Sequence, residues 1–306
     1  MSLFKSVVLS GILAASLTAG CASTVQAQTT LTSVIGSELG RAPIITGDVQ
    51  RFAFPRSDLK VMVDGVEIQP ALALGSWLAF RPMTDGHSWE VMGDLVLTHN
   101  EIKGVLENLV AGGITITALH NHLLRAEPAT MYMHVHGHGD PASLARTLKQ
   151  ALASTATPLG RPSPAAAVPM DQQLDRIAVE NYMGRTGTPA TGGVLQFSIP
   201  RQQPIQQGGK PIPNPMGMPT AINFQWGGEG SVAATGDFVL SASEVEPVVA
   251  ALTRAGIEVT ALHNHMLDEE PRTFFMHFWG VGTPEQVAGA LKRALDLTAS
   301  QQRAAE

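Results

Sequence analysis

The chain has 306 residues, with 20 Lys+Arg against 26 Asp+Glu, a formal net charge of −6, and a hydrophobic content of 44%. That balance is globular rather than disordered, and it has no basic stripe with which to meet phosphates, which argues against a general nucleic-acid binder. The single Cys excludes an intramolecular disulfide framework and a Cys-rich zinc site, so any metal chemistry would rest on the 10 His and on carboxylates.

Lys5 precedes an apolar run from Val7 to Leu17, the pattern of a secretory signal peptide and too short to span a bilayer. Two ends for it are open. Val25-Gln26-Ala27 fits small-x-small cleavage and gives a signal over 1–27. Thr18-Ala19-Gly20-Cys21 resembles a lipobox, with Thr where Leu is usual, and would leave Cys21 lipidated as the first residue. Either end predicts an exported, periplasmic or cell-envelope protein, with no further transmembrane span and a lipid anchor only if Cys21 is modified. Downstream, Asp64-Gly65 between short β-like runs predicts a hairpin, and 77–80 and 90–97 read as strands. Thr98-x-x-Glu101 is a capping box opening a helix that Gly112-Gly113 closes. Residues 114–122 alternate as a strand, a turn follows at Glu127-Pro128, and 131–135 form another strand. Asp140-Pro141 then caps a helix with Leu144, Leu148 and Leu152 on one face.

This code is written twice. Gly93-Asp94-Leu95-Val96-Leu97 returns as Gly236-Asp237-Phe238-Val239-Leu240, Ala118-Leu119-His120-Asn121-His122 as Ala261-Leu262-His263-Asn264-His265, and Met133-His134 as Met276-His277. The offset is constant from Gly93 to Leu152, and about 29 of those 60 positions are identical. Upstream, Leu39-Gly40-Arg41 answers Met183-Gly184-Arg185, and Phe54-Pro55-Arg56 answers Ile199-Pro200-Arg201. The predicted organisation is a first repeat over 31–155, a Pro/Ala-rich linker over 156–171 and a second repeat over 172–298. Each repeat is small for an independent core, so the expected fold is α+β, a tandem duplication packed with pseudo-twofold symmetry.

The strings GDLVLTHNEI, ALHNHLLRAEP and MYMHVHGHGDP, with FPRSDLKVMVDGVEIQPALALGSWLAF, make the chain similar to the LppY/LpqO family of bacterial exported proteins and lipoproteins. The resemblance covers essentially the whole mature chain. It implies an envelope location and supplies neither an activity nor catalytic residues.

Eight of the His fall into two clusters: His120, His122, His134, His136 and His138, then His263, His265 and His277. Alternate residues of a strand share a face, so His120 and His122 are expected to be co-facial. If positions summing to about 254 pair across the next strand, His134 faces His120. Three imidazoles so placed can hold Zn or Cu, with Glu127 and Glu270 on the connecting turns as oxygen ligands or general bases. His136 and His138 are secondary ligand candidates or part of a polar turn; the second copy has Trp279 and Val281 there. The competing readings are histidines that bond to backbone carbonyls in a buried strand, and metal-free acid–base or ligand contacts. Arg56 and Arg201 read as surface ion pairs, Asp94 and Asp237 as turn or cap residues, and Met131, Met133, Met216 and Met218 as core filler. The functional classes left open are an envelope protein binding a metal or small ligand through His-x-His strands, and a non-catalytic binding or scaffold module with an envelope partner. Whether it is an enzyme stays open.

Overall fold

A computed structural model describes residues 34–160 and 168–301. The expected signal segment with Cys21 and the centre of the expected linker lie outside the described residues. Each copy forms a six-stranded, wholly antiparallel sheet. In the first sheet the strands run Ile44–Thr46, Val49–Pro55, Gly75–Pro82, Trp89–Thr98, Thr130–Gly139 and Thr115–His120 from edge to edge. The second repeats that order with Thr188–Pro189, Leu195–Ile199, Thr220–Gly228, Ser231–Leu240, Phe274–Gly282 and Glu258–His263. The fold is the expected α+β tandem duplication.

One face of each sheet is covered by helices. Helices His99–Ala111 and Pro141–Ala153 bury Val105, Leu109, Leu144 and Leu148 against Phe52, Phe80, Leu95 and Met133 of the first sheet. Ala242–Arg254 and Pro284–Leu295 do the same in the second, against Phe224, Phe238 and Phe278. Both capping boxes form, and Asp140 and Thr283 cap the later helices with Pro at the first turn. Beneath each sheet-to-helix junction lies a buried arginine. Arg56, with no side-chain exposure, pairs with both Asp58 and Glu101, while Arg201 pairs with Glu244. These are buried pairs rather than the surface pairs that the sequence suggested. They lock the cap glutamates to the strands, because Arg56 also donates to the Val96 carbonyl and Arg201 to that of Val239.

The other faces of the sheets turn toward each other, and the edge strands Thr115–His120 and Glu258–His263 meet. Two arms fill the space between. Residues 56–74 carry the expected hairpin, with Asp64 and Gly65 both at positive φ, and the short helix Pro70–Ala73. This arm docks on the second sheet: Gln225, Asn223 and Gln196 donate to the carbonyls of Glu67, Leu72 and Ala71. The second copy's arm, 200–219, docks on the first sheet, where Arg81 and Arg51 donate to the carbonyls of Pro211 and Pro215. Each arm thus packs between the two inner faces, touching its own sheet and bonding to its partner's. Met216 and Met218 are buried in this layer and Met133 in the helix-covered core.

Candidate metal centre

Where the two edge strands meet, the copies exchange bonds across the pseudo-twofold axis. Thr117 donates to the His265 carbonyl and Thr260 to that of His122. Asn121 donates to the Thr260 carbonyl and Asn264 to that of Thr117. The threonine and asparagine of the repeated T-A-L-H-N-H string are therefore the stitching of the interface. They pin the chain just beyond each strand, and so aim the histidines inward.

Six imidazoles converge there. His120 and His263 face each other at the axis with ring centroids 3.5 Å apart. His122 stacks on His277 at 3.7 Å, and His134 packs on His265 at 3.7 Å. Three overlapping triads bring their ligand nitrogens within 4.8 Å of one another: His120/His122/His277, His120/His134/His263 and His263/His265/His277. Tyr132 and Phe275 lie flat against His122 and His265 at 3.4 and 3.3 Å, fixing the outer rings.

The tautomers follow from the backbone. Nδ1 of His120, His263 and His277 lies 3.1, 2.9 and 2.8 Å from the carbonyls of Asn121, Asn264 and Gly236. His134 bonds likewise to the backbone of Gly93. A carbonyl can only accept, so each of these Nδ1 atoms carries the hydrogen and each Nε2 presents a lone pair. Glycine at 93 and 236 lets the strands close up: a Cβ on Gly236 would sit 1.9 Å from the Ala221 carbonyl oxygen, and one on Gly93 2.7 Å from that of Trp77. The expectation that such histidines bond to backbone carbonyls is met, and it is half of the arrangement. The other half is that Nε2 of His120, His122, His134 and His265 is buried without a hydrogen-bond partner. His263 and His277 bring their Nε2 atoms to 2.8 Å, a contact that a proton or a metal ion between them would satisfy.

Two carboxylates complete the set. Asp94 and Asp237 stand mid-strand opposite His134 and His277, not at turns or caps. Asp94 lies 3.8 Å from His122, and Asp237 lies 3.4 Å from His265 and 4.0 Å from His277. One oxygen of each is buried without a partner. Burial pushes Asp94 up to about 7, against the attraction of Arg51, and raises Asp237 well above the carboxylate range, with the Asp94 charge adding to it. Burial also drives every imidazole down, His120 to about 2 and His263 to about 4, with neighbouring histidines adding to the shift at His120. Without a metal, the centre thus favours neutral rings and protonated acids.

The six histidines that the sequence singles out come together, while several details differ from expectation. A bulge between Ile116 and Ala118 sets the register so that His120 faces Tyr132 and His134 faces Ala118; parity survives, so both rings stay on the inner face. His122 and His265 lie beyond their strands, held by the interface bonds rather than by strand geometry. His136 is drawn to Glu90 at 3.0 Å, and His138 to Ser88 at 3.0 Å. Neither joins the centre. Glu127 and Glu270 are exposed on the connecting turns and point to no ligand set. Asp94 and Asp237 were the missed residues; the signal was available, since both sit on the same face as the histidines once the strands pair in register.

The sequence model of a family described as Domain of Unknown Function (DUF1259) matches residues 33–154 and again 177–297. The chain belongs to that family, as two consecutive copies of its domain. No curated protein matches it. Among solved structures, the chain is similar to the trimeric bacterial microcompartment shell protein PduB, at 12% identity over 82% of this chain and 87% of that one, with a TM-score of 0.23. It is similar also to the double-ringed trimeric shell protein MSM0271 from the RMM microcompartment, at 14% identity over 70% and 83%, with a TM-score of 0.19. Likeness at that level carries nothing about assembly.

Proposed function

We propose that the protein is an exported, envelope-located binder of a transition metal, zinc or copper, at the centre formed by His120, His122, His134, His263, His265 and His277 with Asp94 and Asp237. The observation that carries this reading is the set of buried, partnerless atoms, four imidazole Nε2 atoms and two carboxylate oxygens, beside three overlapping histidine triads whose ligand atoms lie within 4.8 Å of one another. Each such atom costs about 1–3 kcal/mol, so six together rival the whole stability of a domain. A divalent cation held in one of the triads offsets part of that cost by accepting its lone pairs, and its charge balances the nearby carboxylates. The Nδ1 bonds to backbone carbonyls are the outer-shell contacts that orient ligating histidines. Imidazole donors suit zinc and copper, and such an ion, when bound, supplies Lewis acidity. The exported location rests on the segment from Lys5 to Ala27 and on the resemblance to LppY/LpqO proteins. Cys21 is its lipid anchor if the second cleavage end is used.

The test is elemental analysis of untagged mature protein beside a His120→Ala/His122→Ala variant. Stoichiometric zinc or copper, lost in a still-folded variant, is expected. No metal in the wild type, even after reconstitution, overturns the reading and leaves a scaffold module with structural histidines. Intact mass of the purified protein reads the N-terminus at the same time.

A further inference from the structure

The metal centre is the floor of a larger space. Between the inner faces of the two sheets lies a cavity of about 690 Å³, within the range that holds a small organic ligand. Asp94, His122, His134, Asp237, His265 and His277 form part of its wall. The arms close its sides with Pro70–Ala73 of the first copy and residues 214–219 of the second. The close fit of the second arm depends on Gly217, whose φ is +88° and where a Cβ would stand 2.9 Å from the Trp77 ring.

The wall is not symmetric. Arg51 and Trp77 on the first sheet occupy the positions that Gln196 and Ala221 hold on the second. Arg51 lies over the Trp77 ring at 3.9 Å and donates one Nη1 hydrogen to the Pro215 carbonyl at 2.6 Å. Gln196 makes the equivalent bond, to the Ala71 carbonyl at 2.8 Å. A neutral amide therefore suffices to hold an arm in place. The guanidinium adds a charge that the arm does not need, and among the described residues it has no carboxylate within ion-pair distance. Burial lowers its pKa to about 10, with Asp94 acting against that, which marks the charge as under-compensated. If Asp94 serves a metal, the deficit grows.

We infer that this chamber binds a small organic anion, its carboxylate or phosphate group on Arg51 and its apolar body between Trp77 and the arm prolines, with the rest directed at the metal centre. Guanidinium meets either oxyanion in a two-pronged manner, and a stacked Arg is held ready for it. The apolar walls of Trp77, Leu72 and Pro215 favour an organic body over a bare inorganic ion. The inference rests on the reading of the floor as a metal site only for what lies at the far end of the ligand.

The experiment uses the mature protein, with metal and after chelation, and measures binding of benzoate, phenylphosphate and inorganic phosphate by calorimetry. The variants are Arg51→Gln, which copies the second repeat and keeps an arm donor, and Arg51→Lys. Benzoate or phenylphosphate is expected to bind at least tenfold more tightly than inorganic phosphate. Arg51→Gln should weaken that binding at least tenfold, with metal content unchanged and Arg51→Lys intermediate. Anion binding that Arg51→Gln leaves intact, or that tracks only the metal, overturns the chamber while sparing the metal centre. Arg51-dependent binding in a protein that takes no metal sustains the chamber and removes the metal reading. No binding of any of the three at 10 mM (about −3 kcal/mol at best) overturns the chamber outright.

Discussion

The two copies agree at the axis and differ where each receives the other's hairpin. At the axis, every residue has its counterpart: His120 with His263, His122 with His265, His134 with His277, Asp94 with Asp237. At the hairpin seats they diverge. The first sheet meets the second copy's hairpin with a buried charged network, in which Arg81 and His136 share Glu90 and Arg81 also reaches the Pro211 carbonyl. The second sheet has Gln225, Ala233 and Trp279 in those places, and Trp279 bonds to Asp64 of the first hairpin. A seat needs only to be filled and its polar atoms paired, and charged or apolar sets both do that. The axis has no such latitude, because each half supplies donors to one shared space.

The largest way to probe that contrast is acid. In the metal-free protein the imidazoles of the axis have pKa values depressed by burial, His263 to about 4 and His120 to about 2. The unfolded chain then binds protons, near pH 6.5, that the fold refuses. Their stability contribution is present above that pH and lost as pH falls below it, by about 1.4 kcal/mol per pH unit for each ring. Asp94, raised to about 7, and Asp237, raised well above the carboxylate range, oppose two of them by holding protons in the fold. Chelated protein should therefore lose most of its stability between pH 6.5 and 5 in urea melts.

Metal comes next. At a thousandfold excess over its dissociation constant, zinc or copper should stabilise the wild type by about 4 kcal/mol, and stabilise a His120→Ala/His263→Ala variant not at all. Calorimetric melts with and without chelator read this difference. A third test compares the buried arginines. Glu244→Ala leaves Arg201 with no carboxylate and should cost about 3 kcal/mol or more. Glu101→Ala should cost less, because Asp58 still pairs with Arg56 at 2.8 Å. Equal losses would show that Asp58 adds nothing. The smallest effect belongs to the turns: Glu127→Ala and Glu270→Ala, both exposed, should change stability by less than about 0.5 kcal/mol and leave metal content as it was.

Much of this molecule is local and therefore readable. Capping boxes at Thr98 and Ser241, the hairpin at Asp64-Gly65, the Pro-started helices and the repeat itself follow from short-range chemistry along the chain, and all appear in the structure. The repeat also named the six histidines, since two copies of one string must place equivalent residues at equivalent positions. What the chain order could not decide was which surfaces meet. The register of 115–120 on 130–139, two residues from the expected pairing, depends on packing between strands. Arg56 and Arg201 look like surface charges until helix and strand close over them. Asp94 and Asp237 look like turn residues until the adjoining strands put His134 and His277 opposite them. The axis exists only once the two sheets face each other. Burial there turns ordinary imidazoles and carboxylates into unpaired donors around one space, because removing water is an act of tertiary structure and no single segment can do it.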